Sequence, residues 1–164
     1  MNERNKAVVR RYFTEVLRNG KYDVIKQIFS PSFIFHGPSL TKPINGMPEG
    51  IYDFIACVRK AFPDLYVSIE NEIAEDHQVV VVWRMTGTHK NTFRDVPPTG
   101  RHLSITGTDI FYLDHGKIEG MWAFFDMRSM LEQLVAKARR TASQKKRRAS
   151  TGKKNLPRRK ENNF

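Results

Sequence analysis

Three runs of β-branched and aromatic residues in the middle of the chain constrain its fold most. They cover residues 79–89, 101–113 and 117–125. Pro97 and Pro98 separate the first two runs, and proline cannot donate a ladder hydrogen bond within a central strand. An Asp-His-Gly turn at 114–116 separates the second run from the third, which is typical of a hairpin. The sequence therefore predicts three adjacent antiparallel strands in a bent sheet.

Helical patterns precede these strands. Helices are predicted over residues 5–19, 22–29 and 49–62, with a short extended segment at 33–36 and a further strand at 65–74. Asp126 is placed to cap a last helix from Met127 to about Arg139. Helices followed by a strongly curved antiparallel sheet indicate an α+β domain, with the N-terminal helices packed on one sheet face around an apolar pocket.

The formal net charge of +11 is concentrated at the end of the chain. Residues 1–136 contain 16 Lys and Arg and 16 Asp and Glu, whereas residues 137–164 contain 12 Lys and Arg and one acid. We therefore expect one folded domain over 1–136 and a basic, mostly disordered tail over 137–164. The tail can bind polyanions non-specifically, direct the protein to the nucleus of a eukaryotic host, or only improve solubility.

Few other targeting or binding signals are present. The single cysteine, Cys57, excludes an intrachain disulfide, and its apolar helical surroundings predict a buried thiol. The five histidines show no HxH or HxxxH spacing, so no metal is expected. No apolar run approaches the roughly 18 residues of a membrane span. We therefore expect no membrane association and a cytoplasmic protein, with a nuclear location open if the host is eukaryotic.

Several segments together resemble one known family. THKNTFRDVPPTGR, TGTDIF and HGKIEGMW, followed by Asp126, resemble the SnoaL-like polyketide cyclase and ester cyclase family. The helix predicted over 5–19 and the sequence AFPD at 61–64 also fit this family, so the resemblance covers roughly residues 5–135. It implies the cone-shaped α+β fold also seen in nuclear transport factor 2, a homodimer formed through the open sheet face, and chemistry without a cofactor.

Strand alternation selects Asp109 as the first candidate for chemistry. Its side chain shares a face with Ile105 and Phe111. A carboxylate on an apolar face costs free energy unless it is paired or hydrogen-bonded, and burial tends to raise its pKa. A raised pKa suits a general acid or base. The alternative is a structural aspartate bonded to a hydroxyl or backbone donor.

His89 is the second candidate. It ends the first strand run on the same face as Trp83 and Met85, where a histidine can shuttle protons near neutral pH or simply end the strand. Around these two residues, loop and aromatic side chains complete the expected site, although each also has a structural interpretation. We expect the substrate pocket to be formed by Tyr12, His36, Trp83, Met85, Arg101, Phe111, Trp122 and Phe125.

The resemblance also implies roles by position. In the polyketide cyclases of the family, an aspartate on the last strand acts as acid and base in an aldol ring closure, and that position is Ala123 here. Asp109 falls where those cyclases have a pocket histidine. Asp126 matches a family aspartate but is placed to cap the last helix.

Three functions follow from these observations. The first is a cofactor-free enzyme that cyclises, isomerises or hydrolyses an apolar carbonyl-containing molecule, with Asp109 as base and His89 as its partner. The second, suggested by Ala123, is a non-catalytic ligand-binding or interaction module. The third is a nucleic-acid-associated protein that acts through its tail.

Overall fold

The computed structural model describes residues 1–38, 42–45 and 49–136. Its helices are α1 (Asn2–Arg11), α2 (Asp23–Ile28), α3 (Glu49–Ala61) and α4 (Met127–Val135), and a π-helical segment, Tyr12–Arg18, continues α1. Its strands are β1 (Phe29–His36), β2 (Ile44–Asn45), β3 (Tyr66–Glu75), β4 (Gln78–Thr88), β5 (His102–Asp114) and β6 (Lys117–Phe125). The predicted disorder of 137–164 and the predicted extension of the last helix to Arg139 lie outside the described residues.

The strands form one sheet in the order β2-β1-β6-β5-β4-β3. The predicted α+β class is confirmed, and the hairpin of β5 and β6 lies beside β4 as expected. The sheet is mixed rather than wholly antiparallel, because β1 runs parallel to β6. β1 also begins at Phe29, inside the helix predicted over 22–29, because Phe29 pairs with Ile118 of β6. Long-range strand pairing here overrides the local helical pattern.

Irregular pairing bends the sheet. The register shifts between Ile69 and Asn71 of β3 and between Tyr112 and Leu113 of β5. Such bulges bend a strand and increase its twist. The inner side of the bent sheet faces α1, the π-helical segment, α3 and α4, and the apolar core fills the space between them. Side chains alternate along β4, so that Val81 is buried whereas Val82 is exposed.

The opposite side of the sheet is also partly apolar. We call it the outer face, and its exposed apolar residues include Ile34, Val82, Tyr112, Trp122 and Phe124, each 37–50% exposed. They belong to β1, β4, β5 and β6, which are neighbours in the sheet. Large apolar side chains on a shared surface are typical of an interaction site.

Two residues of the helices, Asp126 and Cys57, test predictions made from the sequence. The carboxylate of Asp126 accepts a hydrogen bond of 2.9 Å from the Ser129 amide and caps α4, which confirms that prediction. Cys57 is exposed on α3, so the prediction of a buried thiol is wrong. Within the described ranges, none of the helices is long and apolar enough to span a membrane.

Candidate active site

An apolar cavity lies between the inner face of the sheet and the helices. Its volume is about 60 Å³, and about 580 Å³ of space lies between its lining side chains when the open mouth is included. Small-molecule pockets ordinarily measure roughly 300–1,000 Å³, so a ligand of that size needs the lining side chains to move or fills the mouth as well. The lining residues are Tyr12, Phe13, Leu17, Phe35, Phe54, Val58, Val67, Trp83, Met85, Phe93, Ile105, Asp109, Met121, Ala123, Phe125 and Met130.

Asp109 is the only lining residue among these that carries a carboxyl group. It lies in β5 and is only 3% exposed. Burial raises the pKa of its carboxyl to about 7, and the indole N–H of Trp83 opposes that rise only in part. The carboxyl group can therefore both hold and release a proton near neutral pH, which is what a general acid or base requires.

Trp83 lies beside Asp109 on the inner face. Trp83 pairs with Gly107 across β4 and β5, and Asp109 lies two residues further along the same face of β5. The indole occupies the space that a side chain at Gly107 would take, because a Cβ placed there would lie 2.3 Å from Cζ2 of Trp83. Trp83 Nε1 and Asp109 Oδ1 are both buried, and neither has a hydrogen-bond partner within the described part of the chain.

Tyr12 brings a phenol to the same wall. Its ring is 2% exposed and packs edge-on against Phe29 and Phe111, with ring centroids 5.5 and 5.7 Å apart. Burial raises the pKa of the Tyr12 phenol well above its ordinary value, and the charge of Asp109 adds to that rise. The phenol therefore stays protonated within electrostatic reach of the carboxyl group.

Ala123 lies directly opposite Asp109. The two residues are register partners across β5 and β6, and both line the cavity. Residues paired in this way have Cβ atoms about 4.5–5.5 Å apart. A carboxyl group at Asp109 therefore reaches much of the space that an aspartate at position 123 would occupy.

The structure distributes seven of the eight predicted pocket residues over three places. Tyr12, Trp83, Met85 and Phe125 line the cavity with Asp109. Phe111 is fully buried behind the wall, against Tyr12. His36 and Trp122 lie outside the cavity. Their rings stack on each other 3.8 Å apart, in an open groove that also includes Phe124. Trp122 faces outward because it alternates with Ala123 along β6.

The remaining predicted pocket residue, Arg101, and the predicted catalytic partner, His89, lie away from the cavity wall. Arg101 is partly buried and its backbone carbonyl accepts a hydrogen bond from the His89 amide. His89 is fully buried, its Nδ1 lies 3.0 Å from the hydroxyl oxygen of Thr99, and its Nε2 has no partner within the described ranges. Burial lowers the pKa of the His89 imidazole.

Asp109 and His89 do not meet. Asp109 pairs with Val81, near the start of β4, whereas His89 directly follows the end of that strand at Thr88. Strand alternation placed both side chains on the inner face, but it carries no information on their separation along the sheet. The predicted partnership of Asp109 with His89 is therefore wrong, whereas the role of Asp109 itself stays a prediction.

Sequence reasoning missed Phe93, which closes part of the cavity from the loop between β4 and β5. Phe93 is 3% exposed and its ring centroid lies 5.7 Å from that of Phe62. The amides of Lys90 and Asn91 donate to the carbonyl of Ala61, which ties the loop to the end of α3. The signal was present, since Phe93 is a single aromatic residue within a polar segment, HKNTFRD.

Within the described ranges, no group of three or more His, Cys, Asp or Glu side chains converges. The site is therefore built from one carboxyl group, one phenol, one indole and apolar side chains.

Comparisons with known proteins bear on the family and the fold of the chain. The sequence matches the family described as SnoaL-like polyketide cyclase over residues 7–134. No curated protein matches it. A solved structure from Jannaschia sp. CCS1, named as a SnoaL-like polyketide cyclase, is 29% identical, with a TM-score of 0.77 over 84% of this chain and 95% of that chain.

Two further solved structures support the fold alone, since their identity is lower. AclR from Streptomyces galilaeus, named as a hydroxylase, is 22% identical, with a TM-score of 0.72 over 82% of this chain and 97% of that chain. IdmH from Streptomyces antibioticus, named as a polyketide cyclase, is 24% identical, with a TM-score of 0.67 over 79% of this chain and 97% of that chain.

Proposed function

The chain belongs to the SnoaL-like polyketide cyclase family, and on that premise we propose that it is a small-molecule enzyme in which Asp109 transfers a proton. Its substrate is an apolar molecule with a carbonyl group, and the reaction is an acid/base cyclisation, isomerisation or hydrolysis without a cofactor. The observation that carries the proposal is the buried carboxyl group of Asp109 on the wall of an otherwise apolar cavity.

The environment of Asp109 suits proton transfer. Its raised pKa, about 7, lets the carboxylate remove a proton and the carboxylic acid return it at the same pH. The surrounding apolar side chains exclude water, which protects a reactive carbanion or enolate from unwanted protonation. Tyr12 adds a neutral phenol that can donate a hydrogen bond to a substrate oxygen.

The replacement of the family's last-strand aspartate by Ala123 fits this proposal. Because Ala123 and Asp109 are register partners, a carboxyl group on β5 serves the same part of the cavity as one on β6. The acid/base group has then moved to the neighbouring strand. The proposal therefore predicts that a carboxyl group placed at position 123 of β6 can replace the one at position 109 of β5.

The test uses β-tetralone, an apolar bicyclic ketone with acidic α-hydrogens, and follows its deuterium uptake in heavy water by proton NMR. Wild-type protein should accelerate the exchange. Asp109→Asn should lower the rate at least 100-fold, because general-base catalysis is worth about 10²–10⁴. The double variant Asp109→Ala with Ala123→Asp should restore part of it. Asp114→Asn, an exposed change at the end of the same strand, is the matched control.

A second candidate is a non-catalytic ligand-binding module. Ala123 favours this candidate, because an alanine stands where the polyketide cyclases of the family have their acid/base aspartate. If the wild-type protein binds the ketone and returns it without deuterium, while Asp109→Asn binds equally well, this second candidate replaces the first. Native mass spectrometry of protein purified from its host would then identify the retained molecule.

We also propose a homodimer that forms through the outer face. The support is the row of exposed apolar side chains around Trp122, together with the habit of the family. For the basic tail we propose weak, salt-dependent binding of polyanions, which deletion of residues 141–164 should abolish without unfolding the domain. The proposed location is the cytoplasm, to be checked by fractionation of the host.

A further inference from the structure

Within the described residues, two buried polar atoms of the cavity wall have no hydrogen-bond partner, and they belong to neighbouring residues. They are Nε1 of Trp83 and Oδ1 of Asp109. An indole N–H can only donate a hydrogen bond, and an ionised carboxylate can only accept one. Buried polar groups in folded proteins are ordinarily satisfied, so a donor and an acceptor left open side by side require an explanation.

The strand register brings the two groups towards each other. Trp83 lies opposite Gly107, and Asp109 is the next residue of β5 on the same face. Diagonal neighbours across antiparallel strands lie within reach of a long aromatic side chain. The indole N–H opposes the effect of burial by favouring the charged form of the Asp109 carboxyl.

Gly107 is the reason that the indole can point this way. A Cβ at that position would lie 2.3 Å from Cζ2 of Trp83 and 2.7 Å from Cε2, the atom to which Nε1 is bonded. The six-membered ring of the indole, which includes Cε2, therefore lies directly over the backbone of β5 at Gly107. Phe125, the partner of Gly107 on β6, packs against the indole with ring centroids 5.8 Å apart and an interplanar angle of 63°.

We propose that Trp83 is the positioning residue of Asp109: its N–H donates to Oδ1 of the ionised carboxylate, which leaves Oδ2 as the oxygen that takes the substrate proton. In that step a C–H bond of the substrate breaks, its proton forms an O–H bond with Oδ2, and the electron pair stays on the substrate. Gly107 is the second member of this arrangement, because any side chain there displaces the indole. The inference rests on the proposed function of Asp109 as the proton-transfer group.

The arrangement sets how the carboxyl group is charged. A donor that cannot itself ionise stabilises the carboxylate without introducing a competing base. Burial alone favours the protonated acid, and the indole N–H works against burial. Trp83 therefore keeps a useful fraction of Asp109 ionised at neutral pH, in a cavity that otherwise disfavours charge.

The inference can be tested on the whole protein by NMR, without a substrate. Aspartate labelled with carbon-13 at the carboxyl carbon reports the titration of Asp109, and the Asp109→Asn variant identifies its signal. In the wild type we expect a midpoint near pH 7. The indole signal of Trp83 should move with the same midpoint, whereas that of Trp122, on the outer face, should not move with it.

Removal of the donor should raise the midpoint. In Trp83→Phe the ring contact with Phe125 is kept but the N–H is lost, so the Asp109 midpoint should rise by about one pH unit, equivalent to a tenfold change in the ionisation constant. Gly107→Ala should produce a rise in the same direction by displacing the indole. Trp122→Phe is the matched control, and the Asp109 midpoint in this variant should equal that of the wild type.

Two results would overturn the inference. One is a Trp83→Phe midpoint that is unchanged or lower, as expected if the tryptophan only excludes water. The other, which needs no variant of Trp83, is a wild-type Trp83 indole signal that stays constant through the Asp109 titration. If either result accompanies a loss of deuterium exchange in Asp109→Asn, the proposed function stands without this positioning role. If Asp109→Asn keeps its exchange activity, the proposed function fails, and the catalytic meaning of the pair fails with it.

Discussion

Replacing Asp109 by asparagine should change how the stability of the protein depends on pH. Burial raises the pKa of the folded carboxyl to about 7, whereas an unfolded aspartate has a pKa of about 3.9. Well below pH 4 both states are protonated, and the group does not destabilise the fold. Between these values the unfolded chain releases a proton that the folded chain retains, so stability is lost as the pH rises towards 7.

The magnitude follows from the separation of the two pKa values. They differ by about three pH units, and each unit is worth about 1.4 kcal/mol, so the loss is roughly 4 kcal/mol between pH 4 and pH 8. Asp109 is only 3% exposed, so solvent screening does not reduce this figure appreciably. A loss of this size is a large fraction of the total stability of a domain, which is about 5–15 kcal/mol.

The assay is urea unfolding followed by far-ultraviolet circular dichroism, at a series of pH values from 4 to 8. The quantity of interest is the free energy of unfolding of Asp109→Asn minus that of the wild type, because the other titrating groups cancel in this difference. It should rise by roughly 4 kcal/mol across the range, whatever constant cost the asparagine amide adds. Asp53→Asn, an exposed change on α3, should give a constant difference.

A constant difference for Asp109→Asn would refute the reasoning. It would mean that the folded carboxyl titrates like an exposed one, so that the cavity wall neither desolvates it nor prepares it for proton transfer. A difference that falls with rising pH would mean that an unrecognised donor stabilises the carboxylate strongly. In both cases Asp109 would not be suited to act as a general base near neutral pH.

Three further predictions follow from other parts of the fold. Asp126→Ala removes the cap on the Ser129 amide and should lower the free energy of unfolding by about 1 kcal/mol in urea titrations, whereas Asp126→Asn should retain most of it. Burial lowers the pKa of His89, so as the pH falls below about 6.5 the unfolded state binds a proton before the folded state does, and the free energy of unfolding decreases. His89→Gln should weaken this decrease between pH 7 and pH 5. If the free energy of unfolding of His89→Gln depends on pH as steeply as that of the wild type, this account is wrong. Trp122→Glu on the outer face should convert the proposed dimer to a monomer in sedimentation velocity, and a wild type that is already monomeric would end that proposal.

Much of the fold could be predicted from local sequence patterns, because these patterns depend only on residues that are close in the sequence. Alternation along β5 placed Asp109 on an apolar face, and the structure has it buried there. The same alternation puts Trp122 and Phe125 on opposite faces of β6, so they could not both line one pocket, and the structure keeps only Phe125 in the cavity. The error lay in grouping aromatic residues by type rather than by parity.

Features that depend on distant parts of the chain could not be predicted in this way. The parallel pairing of β1 with β6 drew Phe29 out of a helical pattern, and only the assembled sheet provides that partner. Position along a strand is also a property of the register, which is why Asp109 and His89 were paired although the sheet separates them. Gly107 showed no signal in the sequence, since its importance arises from the indole of a residue on another strand.

The neighbouring placement of β1 and β6 has a consequence for biosynthesis. Phe35 of β1 and Met121 of β6 are register partners, and both line the cavity, although they come from opposite ends of the domain. Contacts between such distant segments must first overcome the entropy of closing a long loop, which slows folding. On the ribosome, β1 has to wait with an open edge until β6 has emerged, and open strand edges invite aggregation. We therefore expect the cavity to be among the last parts of the molecule to form, and a chain that ends before β6 is complete would lack one wall of the cavity.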